Sequence, residues 1–258
     1  MRAYETVSVG VAITVLLQPL VCRGSSSVIG WSTSASVLTN IPAALTNAVE
    51  IAAGSDHALA LTADGRLVAW GLDSSGQTSV PPGLTNVVAI ACGANHNLAL
   101  KTNSTVVAWG YNHVGQTNVP PALTNVVALS ARHFSDLALT RDGRVVGWGW
   151  NNYGQLNVPA LTDVVAIGVG TFSNAAVRAN GMMWVWGDAS IARTPANLSD
   201  AMAVTWGDSH ALALPRDGTV FVWGNQPEAP PRLRNVIVFG SGESRPACSA
   251  TLSGALPC

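Results

Sequence analysis

Of three histidines in similar surroundings, two stand next to groups with which an imidazole does acid–base chemistry. His57 follows Asp56, His210 follows Asp208-Ser209, and His96 follows Asn95. A carboxylate, an imidazole and a hydroxyl are the parts of an activated nucleophile if the fold brings them to one point. Yet all three histidines occur three residues after a glycine, at Gly54, Gly93 and Gly207, in otherwise similar surroundings. A side chain that recurs with a repeat lands at a different point of the molecule each time. The periodic His therefore reads as a structural group that hydrogen-bonds loop backbone. The four cysteines, Cys22, Cys92, Cys248 and Cys258, include no Cys-x-x-Cys pair, which gives a zinc or dithiol site no support. Cys92 replaces an alanine of a repeated apolar run and reads as a small buried residue. Cys248 and Cys258 are a candidate disulfide if the compartment is oxidising. No nucleophile elbow, metal-ligand spacing or phosphate-cradling glycine loop is present. The sequence supplies no catalytic residue, no metal site and no cofactor.

The elements that must position these side chains repeat every forty residues or so, a period typical of solenoids and propellers. Trp70, Trp109 and Trp148 stand 39 residues apart, Trp186 follows after 38 and Trp223 after 37, and Trp31 lies 39 before Trp70. Gly71, Gly110, Gly149, Gly187 and Gly224 follow the main set, whereas Ser32 follows Trp31. Asn47, Asn86, Asn125, Asp163, Asp200 and Asn235 each open an apolar stretch. Seven residues after its opener comes Gly54, Gly93, Gly170, Gly207 or Gly242, with Arg132 standing in once. Gly76-Gln77, Gly115-Gln116 and Gly154-Gln155 mark a further column.

One unit reads as four strands. Asn86 to Cys92 is a short apolar run, as expected of a strand buried on both faces, and its small residues suit the crowded position nearest a propeller axis. Asn97 to Leu100 is the second strand. A turn follows, at Thr102-Asn103-Ser104 here and at Asp64-Gly65, Asp142-Gly143, Asn180-Gly181 and Asp217-Gly218 in sister units. Those pairs are strong hairpin signals because both residues tolerate positive φ. Thr105 to Trp109 is the third strand, rich in β-branched residues. Thr117-Asn118-Val119 is read as a fourth, outer strand that Pro120-Pro121 ends. The fold class is all-β, a β-propeller of four-stranded blades.

The columns apolar-apolar-Ala-x-Ala-Ala-Gly-x-x-His-x-Leu-Ala-Leu, Asp-Gly, Val-x-Ala-Trp-Gly and Gly-Gln together resemble the regulator of chromosome condensation repeat. The short units resemble its bacterial members, which include a β-lactamase inhibitory protein, and the resemblance spans about residues 28–242. The order of half-units matches as well. Residues 28–46 hold the second half of a unit, residues 235–258 the first half, and five whole units lie between. Pairing of the two halves would close the ring and remove exposed sheet edges. That arithmetic gives six blades; relatives usually have seven, which would apply here if a unit is missing. The last half-unit departs from the pattern, with Arg245-Pro246-Ala247-Cys248-Ser249 in place of His-x-Leu-Ala-Leu.

Composition narrows the function classes. Charged residues make up 10% of the 258-residue chain and the net charge is −1, with no block of Lys and Arg of the kind a nucleic-acid surface needs. Arg2, the apolar run Val7–Leu17 and small residues from Gly24 read as a secretory signal over 1–24, leaving 25–258 as the propeller. That run is too short and interrupted to span a bilayer, so the mature chain is expected to be a secreted or cell-surface monomer. Asn103-Ser104-Thr105 and Asn197-Leu198-Ser199 match glycan acceptor triplets, which matter only in a eukaryotic secretory pathway.

Function is then sought in columns that vary. Strands alternate in direction, so the loops after the first and third strands of each unit emerge on one face. There the repeat places Asp56, Asn95, His133-Phe134, Phe172 and Asp208 on first loops, and Tyr111, Trp150 and Tyr153 on third-strand loops. Loop aromatics have no core duty and are common interface anchors. Either these rings form one patch or they fold down onto neighbouring loops. In the inhibitory relative, aromatics of this face enter the partner enzyme, so the resemblance implies a protein-binding face at Tyr111, His133, Phe134, Trp150, Tyr153 and Phe172, flanked by Asp56, Asn95 and Asp208. The expected function is a non-catalytic module that binds a protein or glycan. Inhibition of a secreted enzyme such as a β-lactamase, or a structural role within a larger surface protein, are the alternatives.

Overall fold

The computed structural model describes residues 40–43, 45, 47–188, 198–207 and 210–224, and the strand backbone at 236–240, 248–251 and 254–255. The candidate signal segment 1–24, the half-unit around Trp31, Cys22, Cys258 and the side chain of Cys248 lie outside the described residues.

The chain is an all-β propeller. Each whole unit folds into a three-stranded antiparallel sheet taken in chain order. The first contains β1 (Ala48–Ala53), β2 (His57–Thr62) and β3 (Leu67–Gly71). The second contains β4 (Val87–Cys92), β5 (His96–Lys101) and β6 (Val106–Gly110), and the third β7 (Val126–Arg132), β8 (Ser135–Thr140) and β9 (Val145–Gly149). The fourth contains β10 (Val164–Val169), β11 (Ser173–Arg178) and β12 (Met183–Gly187), and the fifth β13 (Ala201–Trp206), β14 (His210–Pro215) and β15 (Phe221–Gly224). A further sheet contains β16 (Val236–Gly240), β17 (Cys248–Thr251) and β18 (Gly254–Ala255). In it β17 pairs with β18; the N-terminal half-unit expected beside β17 is not among the described residues. First strands pack on first strands in sequence, β1 on β4, β4 on β7, β7 on β10 and β10 on β13.

The repeated columns have local causes. Asn47, Asn86, Asn125, Asp163 and Asp200 all adopt φ between 55° and 59°, the left-handed conformation that Asn and Asp tolerate best among residues with a Cβ. In each Asp-Gly or Asn-Gly hairpin the glycine takes the positive φ, at Gly65, Gly143, Gly181 and Gly218. Ser104 fills that role at φ 62°, and Asn103 Oδ1 accepts hydrogen bonds from Thr105 N and Oγ1.

The segment read as a fourth strand forms no ladder, and the blades are three-stranded. After β6 the chain turns repeatedly, and Asn112 secures it: its Oδ1 accepts Thr117 N at 2.9 Å and its Nδ2 donates to Asn118 Oδ1 at 2.9 Å. Asp73 and Asn151 act likewise in the neighbouring units. Side chains thereby take over backbone hydrogen bonding, and Pro120 and Pro121 have no N–H to give a ladder. Val119 and Leu123 of this segment pack instead into the seam between units.

Those seams are the core. Ala91 and Leu98 of the second unit meet Leu129, Ala138 and Trp148 of the third, and Leu137 and Leu139 of the third meet Ile167, Ala176 and Trp186 of the fourth. The periodic Trp fills the seam, and its indole N–H reaches back one unit, Trp148 Nε1 to Gln116 O at 3.0 Å and Trp186 Nε1 to Gln155 O at 2.8 Å. The Gln side chain of the Gly-Gln column turns inward on its own loop, Gln116 Oε1 accepting Val114 N at 2.9 Å. Among the described residues no helix is long and apolar enough to cross a membrane.

Candidate functional site

The loops after first and third strands are tied together in the first four units. Leu72 N donates to Asp56 O, Tyr111 N to Asn95 O, Trp150 N to Phe134 O and Asp188 N to Phe172 O, at 2.7 to 3.0 Å. This contact explains the glycine after each Trp. A Cβ on Gly71, Gly110, Gly149 or Gly187 would lie 2.3 to 2.6 Å from that same first-loop carbonyl, and all four residues have φ near 100°. First loops are also stitched across units, Ser55 N to Ala94 O at 3.0 Å and Ala94 N to His133 O at 2.8 Å. The loops of this face are therefore anchored by backbone, and those of the first three units are joined into one rim.

On that face the rings of three successive units form one ridge. Tyr111 lies 5.7 Å from Phe134, Phe134 4.0 Å from His133, and His133 5.7 Å from Trp150. Trp150 lies 5.3 Å from Tyr153 and 6.3 Å from Phe172, and Tyr153 meets Phe172 edge-on at 4.8 Å. Such tilted and T-shaped pairings suit the ring quadrupoles. Tyr111, His133, Phe134, Trp150 and Phe172 are half-buried, whereas Tyr153 is 44% exposed. The rings thus rest on one another at the surface. His113, left out of the sequence-based set, joins the end of the ridge, stacked on Tyr111 at 6.1 Å. Its exposed loop position beside Tyr111 was the available signal.

A local departure shapes the middle of the ridge. Arg132 occupies the glycine column, β7 runs one residue further than its sisters, and Arg132 pairs with Ser135 across a two-residue turn. His133 takes φ 50° there, which presents His133 and Phe134 at the tip. Asp56 is exposed and Asn95 half-buried, both on the preceding two units; Asp208 lies outside the described residues.

His57 and His96 are seam groups: His57 Nε2 bonds Asn97 Oδ1 at 2.9 Å and His96 Nε2 bonds Asp136 Oδ1 at 2.8 Å, each a side chain of the next unit, and the loop backbone at Ala94 also hydrogen-bonds His57, as expected. Asn97 in turn donates to Gln77 O at 2.7 Å. Burial raises the Asp136 carboxyl above its usual range, opposed by the neighbouring His96, and burial lowers the His57 imidazole. Both pairs are shut off from solvent, so substrate has no access to them.

Sequence reasoning missed Glu50. It stands in a column that in the other whole units is Ala89, Ala128, Ala166 and Ala203, and its Oε2 accepts Ile90 N of the next unit at 3.3 Å. Burial lifts its carboxyl to about 8. Cys92, buried as expected, has its thiol pushed up by burial and by Glu50, which makes it inert.

Residues 48–77, 87–116 and 137–155 match the regulator of chromosome condensation repeat. No curated protein matches the sequence. Among solved structures, the ectodomain of the Arabidopsis thaliana receptor kinase ACR4 superposes with a TM-score of 0.67 at 20% identity, over 84% of this chain and 82% of that one. Prp20p from Saccharomyces cerevisiae, whose structure is described with its binding to Gsp1p and histones, gives 0.65 at 19% identity over 76% and 67%. Human WBSCR16 gives 0.62 at 21% identity over 76% and 70%. At these identities the likeness is one of fold.

Proposed function

We propose that this repeat propeller is a non-catalytic module that docks a protein partner on its aromatic loop face. The observation that carries the reading is the unbroken ridge from Tyr111 to Phe172 across three units. Rigid rings held at a surface supply contact area at little entropic cost, which is why they dominate interface energetics. Anchoring of the loops by backbone hydrogen bonds keeps the ridge preorganised. Protein binding described for Prp20p supports the same class of activity. Inhibition of a secreted enzyme is a narrower form of this reading, using the same face. Export through the 1–24 segment belongs to it too, and amino-terminal sequencing of the protein from culture medium tests that part.

The test of the face is retention of partner proteins from culture supernatant and surface extract by the purified 25–258 chain and by a Phe134→Ala/Trp150→Ala/Phe172→Ala variant of equal folded-state spectrum. A protein held by the first and released by the second supports the reading. Equal retention by both overturns it.

A further inference from the structure

Cations are concentrated at one end of the propeller. Of the described cations, Arg66, Lys101, Arg141, Arg144, Arg178 and Arg216 all sit at the ends of second strands or in the hairpins that follow, the end opposite the ridge. Four of them pair there with acids: Arg66 with Asp64, Arg144 with Asp142, Arg178 with Asp163 and Arg216 with Asp200. The loop face carries Asp56 and Asp73 on the unit before the ridge and Asp188 on the unit holding Phe172, against the half-buried Arg132. Asp73 stays ionised, because Ser79 Oγ and Thr78 N hydrogen-bond its carboxylate and hold its pKa below the usual range.

We infer that the ridge receives a protein segment bearing arginine or lysine side chains, an inference that rests on the binding face proposed above. Guanidinium and ammonium groups bind over aromatic faces, most strongly over Trp, and Trp150 lies at the centre of the ridge with rings on both sides. Carboxylates flanking the rings add long-range attraction and orient the approach. An acidic segment would meet like charge at the Asp56 and Asp73 end of the ridge.

The sister units supply variants that neutralise the flank without disturbing the loops. Asn95 stands where Asp56 does, and Asn112 and Asn151 stand where Asp73 does and accept the same hydrogen bond from the backbone N–H five residues on. The experiment is fluorescence anisotropy at low salt with three labelled twelve-residue Gly/Ser peptides carrying four Arg, four Gln or four Glu, titrated with wild type, D56N/D73N and W150A/F172A. The Arg peptide is expected to bind about tenfold more tightly than the Gln peptide, and the Glu peptide most weakly. W150A/F172A is expected to abolish the Arg preference, and D56N/D73N to weaken Arg-peptide binding several-fold and flatten its salt dependence. Equal binding of the Arg and Gln peptides, no binding of any peptide, or an Arg preference untouched by either variant overturns the inference. If the retention experiment above still succeeds, the face stands and only its cationic partner is wrong; if it fails too, the face itself is wrong.

Discussion

His96 Nε2 lies 2.8 Å from Asp136 Oδ1, both side chains fully buried, and this contact clips the second unit of the propeller to the third. It has a neutral counterpart one unit earlier, His57 with Asn97. The propeller is therefore held not only by apolar seams but by buried polar clips between consecutive units.

Removing one side of a clip leaves the other stranded in a dry site. Asp136→Ala is expected to lower unfolding free energy by about 2–4 kcal/mol. Asp136→Asn, which copies the residue found at Asn97 and Asn174, is expected to cost less than about 1 kcal/mol. Urea unfolding midpoints check both, and equal losses would show that the charge, not the hydrogen bond, matters.

Gly93 exists to make room for the imidazole. A Cβ there would lie 2.0 Å from His96 Cε1, so Gly93→Ala must displace the ring and break its bond to Asp136. A loss of about 3 kcal/mol or more is expected. The third unit carries Arg132 and Ser135 at the same two positions, so His96→Ser in the Gly93→Ala background should restore part of that loss. A double-mutant cycle measures the coupling, and strictly additive effects would refute it.

Stability should peak in mildly acidic to neutral solution. Glu50 binds its proton more tightly in the folded state, at about 8, than unfolded, near 4.5. Its contribution is present below 4.5 and is lost as pH rises to about 8. His57, lowered by burial, acts oppositely: the folded state resists protonation, so stability falls as pH drops below 6.5. Glu50→Ala, which restores the residue of the sister units, should leave stability little changed near pH 5 and raise it by roughly 1–3 kcal/mol at pH 8.5. Parallel melting profiles for the two proteins across that range would show that Glu50 does not titrate this way.

Two tryptophans two residues apart should behave differently. Trp148 is 5% exposed in a seam, whereas Trp150 is half-buried within the ridge. Trp148→Ala is expected to cost about 3–5 kcal/mol, and Trp150→Ala about 1 kcal/mol while removing partner binding. Chemical denaturation separates them. A Trp150→Ala loss as large as that of Trp148→Ala would make the ridge part of the core.

The columns of the repeat made much of this fold legible. Period, β-branched third strands and Asp-Gly pairs reflect local φ/ψ preferences and burial, which act within a few residues and leave their mark in the chain. They located each whole unit's three strands and the seam Trp. The fourth strand was misread because Asn112 and Asp73 satisfy backbone groups through side chains, a substitution that leaves strand-like residues in place. The column that holds Asn97, Asp136 and Asn174 was visible as spacing, but only the packing of one sheet on the next brings two of its members against a histidine 40 residues earlier. Glu50 looked like an ordinary acid until the neighbouring strand packed against it. The chain itself determined which residues would be strands, turns and loop rings. Tertiary structure decided which of them meet, because the rotation from one sheet to the next sets inter-unit distances that no local preference encodes.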